Sequence, residues 1–324
     1  SRSLVQHRDY RMPAEWEPQS AVWICPPTNP ETWPDRLVQA QAQFAQFINN
    51  LEPFVRVRDV RELGVQPYDA WIRDYGPLFV KHRRQNTLAC HDFVFNSWGR
   101  KYEPWDQEDL VARHISRHLD CRSWRHDMVL EGGAIDVNGQ GLVLTTRPCL
   151  LHPNRNPTLS QAQIERRLCD SLGTDRVIWL PGGIDGDDTD GHVDQVARFI
   201  QPGMVAAVRA PADHPDHTSL EDNWQVLAQQ PVNLVELPLP NPMFFDFPSS
   251  RFGPAHRQRL PASYANFLIS NGALFVPIFG QRADDRALRR LDDAMANHKI
   301  LGIRCEHLLI GLGTLHCLTM QQPM

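Results

Sequence analysis

The sequence predicts an α/β fold in which five loosely repeated strand–strand–helix–strand modules form one domain over residues 1–324, without a linker. Two observations predict it. Five segments carry apolar residues at a 3.6-residue period, which indicates amphipathic helices, and short apolar runs typical of strands lie between them. The helix starts recur roughly every 53 to 73 residues. The modules share negligible sequence identity, so spacing alone predicts the repeat.

The helices are predicted from periodicity and from residues that start or stop a helix. The first helix places Leu37, Phe44 and Leu51 on one face. The third begins after Ser160, a residue type that caps helices, and ends at Gly173, which favours the left-handed backbone found after helices. The five predicted helices cover about residues 34–51, 107–119, 160–172, 219–229 and 284–297.

Strands are predicted where short apolar runs are bounded by Pro, Gly or Asn, and the 26 prolines supply many such boundaries. The clearest runs are residues 21–24, 142–144, 177–180, 205–208 and 273–276. A further apolar run, residues 308–310, is expected to be a strand that leads into the C-terminal segment.

The composition indicates a globular protein and narrows the classes of partner. Hydrophobic residues make up 42% of the 324 residues and charged residues 22%, which is enough for a full core and argues against disorder. The net charge of −5 argues against a nucleic-acid binder and is compatible with a small cationic substrate. No apolar stretch is long enough for a membrane span, and residues 1–8 lack the apolar core of a signal peptide.

The seven cysteines are widely scattered, and no CxxC pair occurs. This pattern argues against a zinc ribbon or a secreted disulfide framework and predicts a reducing, cytoplasmic location. Most of the cysteines are expected to be inert core residues. The sequence does not determine the oligomeric state, and a homodimer is compatible with it.

The first segment with unusual polar residues, 69–77, combines Trp71, Arg73 and Asp74 with a Gly-Pro turn. A carboxylate beside an aromatic ring could form the wall of a cation pocket. The alternative is a surface ion pair between Arg73 and Asp74.

The second segment places Glu131 at the end of an apolar strand, directly before two glycines. Glycine lets the backbone approach a ligand closely, so Glu131 is a candidate to face a cleft. An exposed hairpin turn is the alternative.

The third segment surrounds His192 with carboxylates, which suggests general acid–base chemistry or a metal site. The spacing does not match a calcium-binding loop. If the segment is a strand, His192 and Asp194 point to the same face and address one substrate. A solvated acidic turn is the alternative. The candidate ligands of a metal-dependent hydrolase are Asp187, Asp188, Asp190 and His192.

The fourth segment, residues 311–323, places Cys317 after a Gly-x-Gly approach that begins at Gly311. A buried structural cysteine is the ordinary interpretation of such a residue. Flexible glycines ahead of a thiol, however, suit a nucleophile whose loop turns backbone N–H groups towards a reacting centre.

These four segments, in this order, resemble the agmatine deiminase family, which includes the bacterial-type peptidylarginine deiminases and belongs to the guanidino-group-modifying superfamily. The resemblance runs from Met12 to Pro323, essentially the whole chain. Further matches lie in residues 12–18, 95–99 with Lys101, 151–157 and 263–267.

The resemblance implies a pentein-type fold, a pseudo-symmetric propeller of five ββαβ modules with the active site on its axis. It also implies a cysteine-dependent hydrolase of polyamine biosynthesis that converts agmatine to N-carbamoylputrescine and ammonia, with no metal or other cofactor. The expected partner is a small cationic guanidine; neither nucleic acid nor a membrane is expected.

Matched by motif, the resemblance implies that Cys317 is the nucleophile, that His192 is the acid and base, and that Glu131 holds this histidine and assists proton transfer. Paired carboxylates suit a planar guanidinium, and attack requires that positive charge from the substrate or an imidazolium lower the thiol pKa. The implied substrate-binding residues are Asp74, Asp194, Trp71 and Gly311.

The chain departs from the family's Gly-Gly-Gly-Asn-Ile-His-Cys pattern at Leu312 and Thr314. Leucine does not readily adopt the positive φ that glycine permits, so this loop is expected to differ. The reaction class is therefore better defined than the substrate. The alternatives are deimination of peptidyl-arginine or another small guanidine, the metal-dependent hydrolase, and a catalytically inactive binding module.

Overall fold

The computed structural model describes residues 8–324, and residues 1–7, most of the segment that lacks signal-peptide character, lie outside it. The strands are β1 (Tyr10–Arg11), β2 (Gln19–Ile24), β3 (Arg56–Asp59), β4 (Leu78–His82), β5 (Leu88–Val94), β6 (Arg122–Val129), β7 (Asp136–Val137), β8 (Leu142–Thr146), β9 (Arg176–Leu180), β10 (Ala197–Gln201), β11 (Met204–Val208), β12 (Asn233–Leu237), β13 (Met243–Phe247), β14 (His256–Leu260), β15 (Leu268–Ser270), β16 (Ala273–Ile278), β17 (Lys299–Arg304) and β18 (Thr319–Pro323).

The helices differ widely in length. They are α1 (Leu37–Leu51), α2 (Ile72–Tyr75), α3 (Ser97–Arg100), α4 (Val111–His118), α5 (Arg147–Leu150), α6 (Gln161–Leu172), α7 (His217–Ala228) and α8 (Arg282–Ala294). Short 3₁₀ turns cover Val60–Leu63, Glu108–Leu110, Gly132–Ala134, Val193–Gln195 and Leu308–Gly311.

Five small sheets share one topology. In each sheet the first two strands pair antiparallel, and the second and third pair parallel. A parallel pair needs a crossover, which α1, α4, α6, α7 and α8 supply in turn. Strand β1 extends the second sheet, and β13 and β14 form a separate hairpin. The prediction of a mixed α/β fold is confirmed. The five strand orders are β18-β2-β3, β4-β5-β6, β7-β8-β9, β10-β11-β12 and β15-β16-β17.

Both ends of helix α6 agree with the prediction, because a capping residue lies at each end. The Ser160 hydroxyl accepts a hydrogen bond from the Gln163 backbone N–H, and the side-chain oxygen of Gln163 accepts one from the Ser160 backbone N–H. Such a cap contributes about 1 kcal/mol to helix stability. Gly173 follows the helix with φ +65°, a conformation that favours glycine. The segment predicted at 107–119 instead splits into the turn Glu108–Leu110 and α4.

The strand predicted at residues 308–310, next to the candidate site, is wrong. Residues 308–310 form a 3₁₀ turn, held by the Trp33 indole, which donates to the Leu308 carbonyl at 3.0 Å. Residues 193–195 also form a turn, and β10 begins only at Ala197. The run at 308–310 is short, apolar and buried, a pattern that fits a buried turn as well as a buried strand.

The interior is one connected cluster of buried apolar side chains that extends from Tyr10 in β1 to Met320 in β18. Strand β18 pairs with β2, so the last strand of the chain completes the first sheet. Within residues 8–324, no helix combines the length and apolarity that crossing a membrane requires.

Candidate active site

The four segments meet beside a cavity of about 610 Å³ whose wall includes Trp71, Asp74 and Cys317. Asp74 lies in α2, and Cys317 lies in the loop between the turn Leu308–Gly311 and β18. Glu131 and His192 each stand at the start of a 3₁₀ turn, where the chain leaves a strand or loop. The site is thus built from turns, which the sheets hold in place.

Cys317 is almost completely buried, at 5% exposure. Its Sγ lies 3.8 Å from Oδ2 of Asp194, and its backbone N–H donates to Oδ1 of Asn266 at 3.3 Å. Burial, together with the negative charges of Asp194 and Asp74, raises the pKa of the Cys317 thiol well above its usual value. The thiol is therefore protonated at neutral pH until positive charge reaches it.

Asp74 and Asp194 face the site from two directions, and both are buried. Asp74 accepts hydrogen bonds from the Trp98 indole at 2.8 Å and from the Gly133 N–H at 3.0 Å. Burial raises the pKa of Asp74 to about 6, although the charge of His192 opposes the shift. Because Arg73 is buried as well, the alternative of an Arg73–Asp74 surface pair is excluded.

His192 is held between two carboxylates. Its Nε2 lies 3.2 Å from Oε1 of Glu131, and its Nδ1 lies 3.7 Å from Oδ1 of Asp74. Burial lowers the pKa of His192, but the Asp74 charge and hydrogen bonds to Cys149 and Glu131 raise it well above its usual value. The imidazole is therefore positively charged at neutral pH and can donate a proton.

Glu131 is fully buried and carries a fixed negative charge, which excludes the exposed hairpin. The Arg155 guanidinium donates to both of its oxygens, with the shortest contact at 2.5 Å. Burial opposes ionisation, but Arg155 and His192 lower the pKa of Glu131 to about 2. Arg155 also pairs with Asp190 at 2.7 Å, so the carboxylate beside His192 is anchored through one arginine.

Glycines at three positions create the space that the site needs. A Cβ on Gly133 would lie 2.6 Å from Nδ1 of His192 and 2.8 Å from Oδ1 of Asp74, so only glycine fits between these groups. A Cβ on Gly311 or Gly313 would lie 2.7 Å from the Trp71 ring. The two loop glycines therefore let the Trp71 ring pack against the loop that carries Cys317.

Leu312 occupies the conformation that its residue type was not expected to adopt. Its φ is +73° and its ψ is 24°, in the left-handed region, directly after the turn Leu308–Gly311. A non-glycine residue pays roughly 1 kcal/mol for this conformation. The loop thus keeps the shape that a glycine would give it, and the Leu312 side chain becomes part of the cavity wall.

The four residues proposed as metal ligands do not form a common ligand set. Asp187 accepts from the Thr189 amide at 3.0 Å, Asp188 accepts from the Tyr102 hydroxyl, and Asp190 pairs with Lys101 at 2.9 Å. In the described part of the chain, the group of three or more such side chains whose ligand atoms all lie within 4.8 Å of one another is Glu131, Cys149 and His192. Glu131 is already bound by Arg155, so this group is explained without a metal.

Sequence reasoning missed several residues that shape the site. Asn266 accepts from the Thr314 hydroxyl at 2.9 Å as well as from the Cys317 amide, so it fixes the loop before the thiol. Glu15 and His316 form a buried chain of hydrogen bonds that ends on Asp194. Glu15 and Asn266 lie inside motifs that carry the family resemblance, which was the available signal. These contacts, however, join residues 48 or more positions apart.

Known proteins resemble the chain along nearly its whole length. The agmatine deiminase of Stutzerimonas stutzeri is 36% identical over 359 aligned residues, which cover 99% of this chain and 97% of that protein. The structure of the Enterococcus faecalis agmatine deiminase matches with a TM-score of 0.89 and 34% identity, covering 97% of this chain and 96% of the other. A C. jejuni agmatine deiminase with substrate bound matches with a TM-score of 0.88 and 29% identity, covering 97% and 96%.

The family profile covers the same extent. The profile of the Porphyromonas-type peptidyl-arginine deiminases matches residues 11–323, a range that contains every candidate site residue described above. From the match over this range and the 36% identity to a curated relative, the chain belongs to the Porphyromonas-type peptidyl-arginine deiminase family.

Proposed function

We propose that this protein hydrolyses agmatine to N-carbamoylputrescine and ammonia through an amidino intermediate on Cys317. The observation that carries the proposal is a thiol and a buried carboxylate on the cavity wall, Cys317 and Asp74, with the Asp194 carboxylate 3.8 Å from the first and the His192 imidazole 3.7 Å from the second. Curated relatives at 36% identity are agmatine deiminases, which supports the same reaction here. The roles of the individual site residues in this reaction are part of the proposal.

The guanidinium of the substrate would bind between Asp74 and Asp194. Both carboxylates are buried, and Oδ1 of Asp194 has no hydrogen-bond partner among residues 8–324. A planar guanidinium offers several N–H donors in fixed directions, so two carboxylates orient it strongly. Its positive charge also offsets the negative field that keeps the Cys317 thiol protonated. The substrate itself then favours the thiolate.

Attack by the Cys317 sulfur on the guanidinium carbon would form the new C–S bond while the thiol proton passes to bulk water. The His192 imidazolium then gives its proton to one terminal nitrogen, the C–N bond breaks, and ammonia leaves an amidino-thioether. Neutral His192 next takes a proton from water, and the hydroxide attacks the same carbon. Breaking the C–S bond releases the ureido product and the free thiol. Glu131 would keep the imidazole oriented throughout.

The wall of the cavity favours a substrate with a cationic tail. Asp69 and Asp188 line it, and the basic lining residues Lys101 and Arg251 are paired with Asp190 and Glu31. A free ammonium is attracted by such a wall, whereas an α-carboxylate is repelled. Deimination of peptidyl-arginine, the activity in the family's description, is the second candidate. An arginine in the middle of a peptide has no free α-carboxylate, so the acidic wall does not repel it. An activity assay separates this candidate from agmatine deimination.

We further propose that the five sheets are arranged around an axis as a pentein-type propeller. Their shared strand order and the position of the candidate site, to which several modules contribute residues, support this arrangement. A reducing cytoplasm remains our proposal for the location, supported by the scattered cysteines.

A substrate panel tests the proposed function. Agmatine, arginine and a peptide with internal arginine are each assayed for ureido product and ammonia. We expect kcat/KM for agmatine to exceed that for arginine by ~10²-fold or more, because the carboxylates lining the cavity repel the α-carboxylate. Peptidyl-arginine turned over faster than agmatine would move the assignment to the second candidate, and no turnover of any guanidine would contradict the proposal.

The pH dependence of turnover follows from the pKa of Asp74. This carboxyl has a pKa of about 6 in the free protein, and only its ionised form binds a guanidinium. Below pH 6 we expect kcat/KM to fall about tenfold per pH unit, because protonation removes the binding charge. A bound cation lowers the pKa of Asp74. The value of kcat at saturating agmatine should therefore stay constant down to a lower pH than kcat/KM does. An acid limb at the same pH in both profiles would argue that Asp74 does not bind the substrate.

A further inference from the structure

The two oxygens of Asp194 are buried in different surroundings. Oδ2 accepts a hydrogen bond from Nδ1 of His316 at 2.8 Å and lies 3.8 Å from Sγ of Cys317. Oδ1 is buried without a partner among the described residues. A buried carboxylate oxygen is costly to leave unpaired, so this carboxylate has hydrogen-bonding capacity left for a donor group of the substrate.

His316 connects Asp194 to a second buried carboxylate. Its Nε2 lies 2.7 Å from Oε1 of Glu15, on the opposite side of the ring from Asp194. Both ring nitrogens therefore face carboxylate oxygens, and only a doubly protonated imidazole can donate to both. The His316 carbonyl accepts from Nε of Arg73 at 3.2 Å, which fixes the backbone beside the ring.

Glu15 is held in place by distant parts of the chain. Its Oε2 accepts from Nη2 of Arg198 and from the Ile269 amide, both at 2.8 Å, and Arg73 lies 3.8 Å from Oε1. Burial raises the pKa of Glu15, but the charges of Arg198 and His316 lower it well below its usual range. Glu15 is therefore an ionised group in a rigid setting, and its position determines that of His316.

We propose that Glu15 and His316 are positioning residues of this enzyme: Glu15 orients His316, and His316 holds the ionised Asp194 carboxylate beside Cys317, where it binds the guanidinium. The inference rests on the proposed function, because Asp194 is the group through which both residues act. Neither residue is placed in contact with the substrate. The segment before β2, which lies far from Cys317 in sequence, thereby becomes part of the binding machinery.

The charges around Asp194 show how this arrangement affects binding. Burial raises the pKa of Asp194, and the hydrogen bond and charge of His316 outweigh it, helped by His192 and Arg198, so that the pKa is lowered. The Cys317 thiol also lies beside this carboxylate, and the charge of Asp74 acts on it. Loss of the His316 charge therefore raises the pKa of Asp194 and makes the ionised, binding form appear only at higher pH.

Agmatine binding to the Cys317→Ala protein, measured by calorimetry between pH 5 and pH 9, tests the inference without requiring chemistry. Glu15→Gln, His316→Asn and the double variant are compared in that background. Glu17→Gln is the matched control, since Glu17 pairs with Arg11 at 2.6 Å and touches none of these groups. Thermal unfolding identifies any variant that does not fold, and Glu15→Gln, which keeps the side-chain shape, is the variant expected to fold best.

We expect each single variant to weaken agmatine binding about 10- to 100-fold at neutral pH, the size of a lost charge-assisted hydrogen bond. In the parent the acid limb of binding follows protonation of Asp74 near pH 6. In each variant this limb should become steeper and extend to higher pH, because Asp194 then takes up its proton closer to the same range. The double variant should bind agmatine as tightly as the single variant with the lower affinity does, because Glu15 acts through His316. Glu17→Gln should bind as its parent does.

Three results would overturn the inference: unchanged binding in a folded Glu15→Gln protein, weaker binding with an unchanged acid limb, or additive losses in the double variant. If binding depends on Glu15 and His316 as expected but the wild-type protein turns over no guanidine, the proposed function fails and the inference about positioning stands. Absence of agmatine binding at every pH would overturn both.

Discussion

Replacement of Cys317 by serine is expected to reduce turnover of agmatine by ~10³-fold or more while the fold is retained. A serine hydroxyl fits the same buried position, but it forms an oxyanion far less readily than a thiol forms a thiolate. The measurement is kcat from ureido product, together with thermal unfolding to establish that the protein folds. The thiol is 5% exposed, so a one-atom change should leave packing nearly intact.

Cys169→Ser is the matched control, because this cysteine lies on α6 at an intermediate burial, away from the cavity. It should keep normal kcat. Normal turnover in a Cys317→Ala protein would contradict the assignment of the nucleophile, whatever the serine variant does.

Asparagine at position 74 or 194 is expected to lower kcat/KM for agmatine by ~10²- to 10³-fold in each case. The amide keeps the shape of the carboxylate but removes the charge that pairs with the guanidinium in a buried site. Each substitution also removes one of the two negative charges that raise the pKa of the Cys317 thiol. Alkylation of Cys317 by iodoacetamide in the absence of substrate should therefore become faster. Both effects are measured on the same purified variants.

Asp292→Asn provides the charge-matched control, because Asp292 is an exposed residue of α8. It should leave both kcat/KM and the alkylation rate unchanged. A fully active Asp74→Asn or Asp194→Asn protein would reassign that aspartate to a structural role.

The elements that the sequence predicted well are those whose signals are local. Helix α6 has its cap at Ser160, its apolar stripe and its stop at Gly173 within one short stretch, and each acts through neighbouring backbone groups. The run at 308–310 has no such signal. Its turn depends on the indole of Trp33, about 275 positions away in the chain, and an apolar run of three residues does not encode that contact.

In the candidate site, too, the features with local sequence signals were predicted, and those that depend on distant contacts were not. Its four segments were identifiable because glycines and polar residues cluster within each, and the chain brings Asp74, His192 and Cys317 together. Local propensity gave the wrong expectation for Leu312, whose positive φ is imposed by the surrounding loop. Glu15 was not singled out, since its partners His316 and Arg198 become neighbours only in the folded chain. The single domain over residues 1–324, the homodimer and the roles of the site residues remain predictions.

The central claim is that a covalent amidino group forms on Cys317 during turnover. Rapid acid quenching of the wild-type protein mixed with agmatine, followed by peptide mass analysis, tests it most directly. The account predicts a transient mass increase equal to agmatine minus ammonia, confined to the peptide that contains Cys317 and absent from the Cys317→Ser protein. Steady release of ureido product with no such adduct on Cys317, or with the adduct on another cysteine, would contradict it.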